Sequence, residues 1–334
     1  MTIKNLGIYN YDNEYIGKGS FSKVYKGYNR NNIEEKYAIK KIYKKSEEKY
    51  IKLVEREIEI MTKLNHKNIV KLYDKIYTEK HIFLIMELCD SDLNKYINEN
   101  EIEENDIKYI MRQIIDVLKY IMDNNIVHRD LKPHNILINN NKEIKLADFG
   151  FAREFKDTLI SETICGSPLY MAPEILNNDK YNIKSDLWSL GVILYQMIMK
   201  QHPYYAQNIV NLRILINKNE KIKLNININS DCKKLIEELL QKDYNQRIEW
   251  DDLYNNKWIY NINSEKPNSS LKTQIKHLVK NEDNFDYCID NSIVMDYEML
   301  LEYKKEKDKS LNNIKKNQND FNLKNLIIDN YLCS

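Results

Sequence analysis

Glycine and proline are scarce in this 334-residue chain, at 7 and 5 residues respectively. Cysteine is scarce too. Cys89, Cys165, Cys232, Cys288 and Cys333 are odd in number and widely spaced, with no CxxC pair and no histidine at metal-ligand spacing. That pattern argues against a disulfide framework or a zinc site and for a reducing compartment. Charge of one sign is not in excess, with 51 Lys plus Arg against 50 Asp plus Glu. No global field therefore points to nucleic acid or a membrane surface. The longest largely apolar stretch, Val192 to Met199, is far too short to span a bilayer, and MTIKNLGIYNYDNEY lacks the apolar core of a signal peptide. Cys333 is followed by a single residue in this sequence, so no prenylation box is expected there. A soluble intracellular protein, cytoplasmic or nuclear, is expected, with a length that suits about two lobes or domains.

What is present is concentrated. Residues 128 to 150 read HRDLKPHNILINNNKEIKLADFG. Moving a γ-phosphoryl group needs a carboxylate to align and deprotonate the acceptor hydroxyl, and oxygen ligands to hold magnesium against the triphosphate. Asp130, Asn135 and Asp148 are of the right types. The polar run from Ile138 to Lys142 between two apolar segments predicts a hairpin turn, which would bring Asn135 and Asp148 to one end of a paired-strand unit.

Upstream, YIGKGSFSKVYK (15 to 26) predicts a glycine-rich strand-turn-strand able to close over phosphates. Gly17 and Gly19 allow close backbone approach. Ser22 stands where a third glycine is usual. Tyr37-Ala38-Ile39-Lys40 follows as an apolar strand whose lysine can neutralise phosphate oxygens. The next segment, about Glu48 to Leu64, predicts a helix. Its stripe of Val54, Ile58, Met61 and Leu64 includes Glu57, with Glu55 and Glu59 on the flanks. An acid on a buried stripe needs a partner, so Glu57 is assigned to Lys40. Residues 69 to 88 predict two antiparallel strands turning near Glu79-Lys80. From Asn105 onward, Ile107, Ile110, Met111, Ile114, Ile115, Leu118 and Ile121 form a broad apolar helical face, which is core.

HRDxxxxN followed by DFG is the protein-kinase signature. Over roughly residues 9 to 260 the chain resembles eukaryotic-type serine/threonine protein kinases. CGSPLYMAPE (165 to 174), SDLWSLG (185 to 191) and Arg247 as partner of Glu174 agree with that. Five of the seven glycines (17, 19, 150, 166 and 191) fall at landmarks of this pattern, and four of the five prolines (133, 168, 173 and 203) lie in the stretch from 128 to 205. DFGFAR, TICGSPLYMAPE and KSDLWSLG are similar in flavour to the autophagy-initiating, unc-51-like kinases, and TxCGSPxY also to the AMP-activated group.

The resemblance implies an α+β, bilobal fold. Its small N-lobe (about 9 to 88) would carry an antiparallel sheet and one helix, and its mainly helical C-lobe would span about 89 to 260. It also implies ATP and Mg2+ as cofactors and protein Ser/Thr hydroxyls as acceptors. Asp130 would be the base and Lys132 would steady the transferring group; Asn135 and Asp148 would ligate magnesium. Lys40 would hold phosphates and Glu57 would hold Lys40. Ile16, Gly17, Lys18, Gly19 and Ser20 would cover the nucleotide, with Val24, Ala38 and Leu137 around the adenine. Met86 would be the gatekeeper, Glu87 and Cys89 would bond the base, and Asp92 would meet the ribose across a linker one residue shorter than the usual pattern. Phe149 would stack with His128, Met61 and Leu72. Lys132 favours serine/threonine over tyrosine acceptors, Phe151 favours serine, and His134 stands where arginine-directed kinases often have glutamate.

Arg129 and Arg153 could meet a phosphate on the activation segment, with Thr163 the first candidate and Thr158 and Ser161 behind it. An upstream kinase or trans-autophosphorylation would supply that phosphate. The tail, 261 to 334, lies outside the resemblance and is expected to be partly helical or disordered. Its basic run Lys304, Lys305, Lys307 and Lys309 reads as a solvated face. Ser292 to Leu301 and Phe321 to Leu332 carry near-helical apolar spacing.

Overall fold

The computed structural model describes residues 3–19, 22–44, 48–154, 166–177, 179, 182–218, 222, 224 and 228–260. Expectations for Ser20, Thr158, Ser161, Thr163, Cys165 and the tail lie outside them.

Six antiparallel strands form the N-terminal sheet: β1 (Lys4–Leu6), β2 (Tyr9–Lys18), β3 (Ser22–Asn29), β4 (Asn32–Tyr43), β5 (Leu72–Tyr77) and β6 (His81–Glu87), ordered β1-β2-β3-β4-β6-β5. β1, three residues long, was not expected from the sequence. The period-2 alternation of β4 sorts its side chains onto two faces. Ile39 joins a cluster with Tyr9, Tyr11, Tyr25, Phe83 and Ile85. Ile42 joins Val54, Ile58, Ile82 and Leu84 beneath α1 (Glu48–Lys63). Ala38 and Lys40 share parity with Ile42, so Lys40 is presented to α1.

A second sheet, of order β10-β9-β7, joins β7 (Ser91–Asp92), β9 (Ile136–Ile138) and β10 (Ile144–Leu146). β9 and β10 are the expected hairpin, in register Ile138 with Ile144. β8 (Ile126–Val127) pairs with β11 (Arg153–Glu154). The loop between β8 and β9 therefore hangs between two anchored strands.

The rest is helical: α2 (Leu93–Glu99), α3 (Glu104–Asp123), α4 (Pro173–Leu176), α5 (Ser185–Met199), α6 (Ile209–Asn217), α7 (Ser230–Leu239), α8 (Trp250–Tyr254) and α9 (Lys257–Tyr260). The expected apolar face of α3 is buried from Ile107 to Ile121. α5 is buried on every side from Ser185 to Ile198, as an apolar central helix must be. Gly191 lets α7 approach: a Cβ there would lie 2.8 Å from Leu239 Cβ. No helix among the described residues is long and apolar enough to cross a membrane.

Candidate active site

A largely buried Lys40–Glu57 pair, which the exposed carboxylate of Asp148 joins, marks the candidate site. Glu57 is only 5% exposed, whereas Glu55 and Glu59 are solvent-facing. Its Oε1 lies 2.6 Å from Lys40 Nζ, and Asp148 Oδ1 lies 3.5 Å from the same nitrogen. Burial alone would lower the pKa of Lys40. The carboxylates of Glu57 and Asp148 outweigh it and hold the ammonium above its ordinary value. Lys40, in turn, holds Asp148 below the usual carboxylate range. Lys40 and Asp148 are thus held toward their charged forms, whereas burial raises the Glu57 carboxyl against the opposing pull of Lys40, and breaking such a pair would strand a charge.

The loop after β8 carries the expected base. Arg129 and, further on, Asp148 have positive φ, at 68° and 61°. Non-glycine residues hold that conformation only where their surroundings fix it. For Arg129, Asp186 in the first turn of α5 supplies the fixing: its carboxylate accepts the backbone N–H groups of His128 at 3.1 Å and Arg129 at 3.3 Å. The His128 ring nitrogen Nε2 lies 3.2 Å from Ala147 O, and the ring meets Phe149 edge-on with centroids 5.2 Å apart. Met61 is buried and Leu72 half-buried on the same side of the molecule as α1.

Asp130 is held on both oxygens. Oδ1 accepts the Ser167 backbone N–H at 2.9 Å. Oδ2 accepts Asn135 Nδ2 at 2.9 Å and pairs with Lys132 Nζ at 2.9 Å. Lys132 Nζ also donates to Ser167 Oγ at 2.7 Å. Asn135 gives its amide nitrogen to Asp130 alone, through both backbone O and carboxylate, which leaves its amide oxygen as the atom suited to a cation. The bond from Ala147 N to Asn135 O at 2.8 Å ties Asn135 beside Asp148, as the hairpin predicts.

The nucleotide side is built by register. Gly17 faces Val24, Ala38 faces Met86, and Leu137 faces Asp92. Ile16, Lys18 and Gly19 are exposed. Glu87 gives its N–H to Lys71 O at 2.9 Å, and its carboxylate is engaged by Lys145 at 2.8 Å, so its carbonyl is the group left for a base edge. Burial pushes the Cys89 thiol up to about 12. Asp92 caps α2, accepting Lys95 N–H at 2.9 Å, a second use for the residue expected at the ribose.

Beyond Asp130, Glu174 and Arg247 pair through two 2.9 Å bonds at 4% and 1% exposure. Ser185 Oγ donates to the same carboxylate at 2.8 Å, and Arg247 reaches Lys184 O at 2.7 Å. Sequence reasoning named Glu174 and Arg247 but missed Ser167 and Asp186, both of which lie inside the quoted motifs.

Against known proteins, the family described as "Protein kinase domain" matches residues 11–259. The chain belongs to the protein kinase domain family. It is 42% identical over 274 residues to serine/threonine-protein kinase atg1 of Dictyostelium discoideum, covering 78% of this chain and 40% of the relative. It is 34% identical over 259 residues to serine/threonine-protein kinase ULK1 of Homo sapiens (74% and 25%) and 36% over 263 residues to unc-51 of Caenorhabditis elegans (74% and 31%). The chain thus spans well under half the length of these relatives. Its kinship is with the serine/threonine kinases of the unc-51-like branch, and the bilobal architecture is that of a kinase.

Among the described residues no cluster of three or more His, Cys, Asp or Glu could hold a metal by itself.

Proposed function

We propose that this kinase domain, residues 9 to 260, transfers the γ-phosphoryl group of MgATP to serine or threonine hydroxyls of proteins, serine favoured. The observation that carries this is Asp130, a carboxylate tethered on both oxygens next to a lysine. A base so fixed points one lone pair at an incoming hydroxyl without paying for reorientation. Lys132, steadied by Ser167, neutralises charge building on the transferred group, and Lys40, steadied by Glu57, holds the phosphates. Asn135 and Asp148 are the groups that would hold magnesium, which when bound screens the phosphate charge. Ile16 to Ser20, Val24, Ala38, Met86, the Glu87 carbonyl, Cys89, Asp92 and Leu137 enclose the nucleotide.

Activation by phosphorylation at Thr163 is part of the proposal. Pairing of Arg153 with Val127 puts Arg153 one strand across from a point two residues before Arg129, which supports a two-arginine phosphate site. The donor of that phosphate would be an upstream kinase or a second copy acting in trans. An intracellular setting, cytoplasmic or nuclear, is supported by the free thiols of Cys89 and Cys232.

The test is phosphate transfer from MgATP to myelin basic protein by the full chain, with Asp148→Asn as control. Transfer by the wild type alone is expected, and equal background from both proteins would sink the proposal. Full activity in Thr163→Ala would remove the activation step and leave the transferase reading intact.

A further inference from the structure

Beside the strand end carrying Met86 and Glu87, the end of α1, the loop to β5 and Lys145 of β10 enclose a groove of about 610 Å³. It is lined by four lysines, Lys67, Lys71, Lys75 and Lys145, against two carboxylates, Asp74 and Glu87. Met61 and Leu72 contribute apolar wall. Lys145 is answered by Glu87 at 2.8 Å and Lys67 by Asp116 at 3.7 Å. Lys71, lying 5.2 Å from the Tyr73 ring centroid, and Lys75 have no carboxylate at ion-pair distance among the described residues. The groove thus presents surplus positive charge over a partly apolar surface, and none of its lysines carries a catalytic role proposed above.

The described chain ends close by. α9 packs on α3, and the Tyr260 hydroxyl is raised first by burial and then by the charge of Asp116 on α3. Asp116 also reaches His66 Nε2 at 3.5 Å, on the groove's rim. The face of α3 that carries Asp116 is thus turned toward both the last described helix and the groove's rim.

The sequence that follows matches the groove in charge. Residues 281 to 290 read NEDNFDYCID, with Glu282, Asp283, Asp286 and Asp290, large apolar side chains at Phe285, Tyr287 and Ile289, and no Lys or Arg. The 22 residues from Tyr260 to Glu282 span up to about 70 Å when extended, ample for the return. Closing such a loop costs little more than closing a shorter one, and the tether raises the local concentration of the segment.

We propose that residues 282 to 290 dock in this groove, setting carboxylates on Lys67, Lys71 and Lys75 and aromatic side chains against Leu72 and the exposed ring of Tyr73. The proposal stands apart from the catalytic reading, since neither the groove lysines nor the tail acids carry a role in transfer.

Hydrogen exchange read by mass spectrometry on the full chain tests it. At low salt, neutralising the tail (Glu282→Gln, Asp283→Asn, Asp286→Asn, Asp290→Asn) should speed exchange in residues 61 to 75 by at least about fivefold. Raising salt toward 1 M, where the Debye length falls to about 3 Å, should move the wild type toward the variant. Lys71→Glu with Lys75→Glu should release the groove likewise, and adding Asp286→Lys with Asp290→Lys should restore protection. If the lysine variants fail to fold, the tail variant, which alters nothing in the described domain, decides alone. Equal exchange at 61 to 75 in wild type and tail variant would overturn the proposal. So would protection that rises with protein concentration, which would make the occupant a second copy.

Discussion

Ser167 donates its backbone N–H to Asp130 Oδ1 at 2.9 Å, and its hydroxyl receives Lys132 Nζ at 2.7 Å. One residue of the CGSPLYMAPE segment thereby steadies both Asp130, the base of the proposed reaction, and the neighbouring Lys132. The two bonds can be separated by substitution. Ser167→Ala keeps the N–H and loses the hydroxyl, so Lys132 retains Asp130 as its only anchor among these contacts. A hydrogen bond to a charged group is worth about 1.5–3 kcal/mol. If that steadying is felt in the transition state, kcat should fall about tenfold to a hundredfold with KM for ATP little changed. Steady-state kinetics at varied ATP would check it, and an effect confined to KM would contradict the assignment.

Gly166 makes the Ser167 contact reachable. Its φ is 106°, and a Cβ would lie 2.7 Å from Arg129 O and 3.3 Å from Asp130 Oδ1. Gly166→Ala must therefore strain or shift the backbone that delivers the Ser167 N–H. Activity is expected to drop about a hundredfold or more, since misplacement of about 1 Å at a reacting group costs that much. Nucleotide affinity, measured by isothermal titration, should stay within about threefold of wild type, because the Lys40 and Glu57 contacts are untouched.

Much of this site was legible in the sequence, for a reason that Glu57 illustrates. Three glutamates stood within five residues, and only Glu57 lay on the apolar stripe, so local periodicity sufficed to pick the one that reaches Lys40 at 2.6 Å. The β9–β10 hairpin was legible through the polar run between two apolar segments. Ser167 and Asp186 were not legible. Their bonds to Asp130, His128 and Arg129 cross 37, 58 and 57 residues of chain, and no local pattern says which backbone N–H a distant carboxylate will meet. Asp92 was read for a ligand role, while its bond to Lys95 N–H is the helix cap that an Asp before an apolar helical run also signals. β1 escaped because three residues are too few to show alternation.

Arg247 and Glu174 form the deepest ion pair described, with side chains 0% and 3% exposed. Removing one partner leaves an uncompensated buried charge, at a cost of about 3–5 kcal/mol. Arg247→Met is expected to lower Tm by about 6–20 °C, taking about 2–4 °C per kcal/mol for a domain of this size. Arg247→Met with Glu174→Gln should recover part of the loss, because the second change removes the orphaned charge. A double-mutant cycle by thermal denaturation measures the coupling. Additive losses would mean that the pair is not acting as a unit.

His202 should make stability depend on pH. Its ring meets Tyr170 edge-on with centroids 5.2 Å apart, and its Nδ1 is buried with no hydrogen-bond partner. Burial, reinforced by His134, lowers its pKa from 6.5 to about 4. Between those values the unfolded chain binds a proton that the folded chain refuses. The stabilisation is therefore complete above pH 6.5 and is lost as pH falls toward 4. The full shift is worth at most about 3 kcal/mol, and less to the extent that solvent reaches the ring. Glutamine and phenylalanine do not titrate here, so the stability of His202→Gln or His202→Phe relative to wild type should improve steadily from pH 6.5 down to pH 4. Above pH 7 the difference should be flat. Denaturant midpoints across that range settle it, and a pH-independent difference between wild type and both variants would show that His202 does not titrate on unfolding.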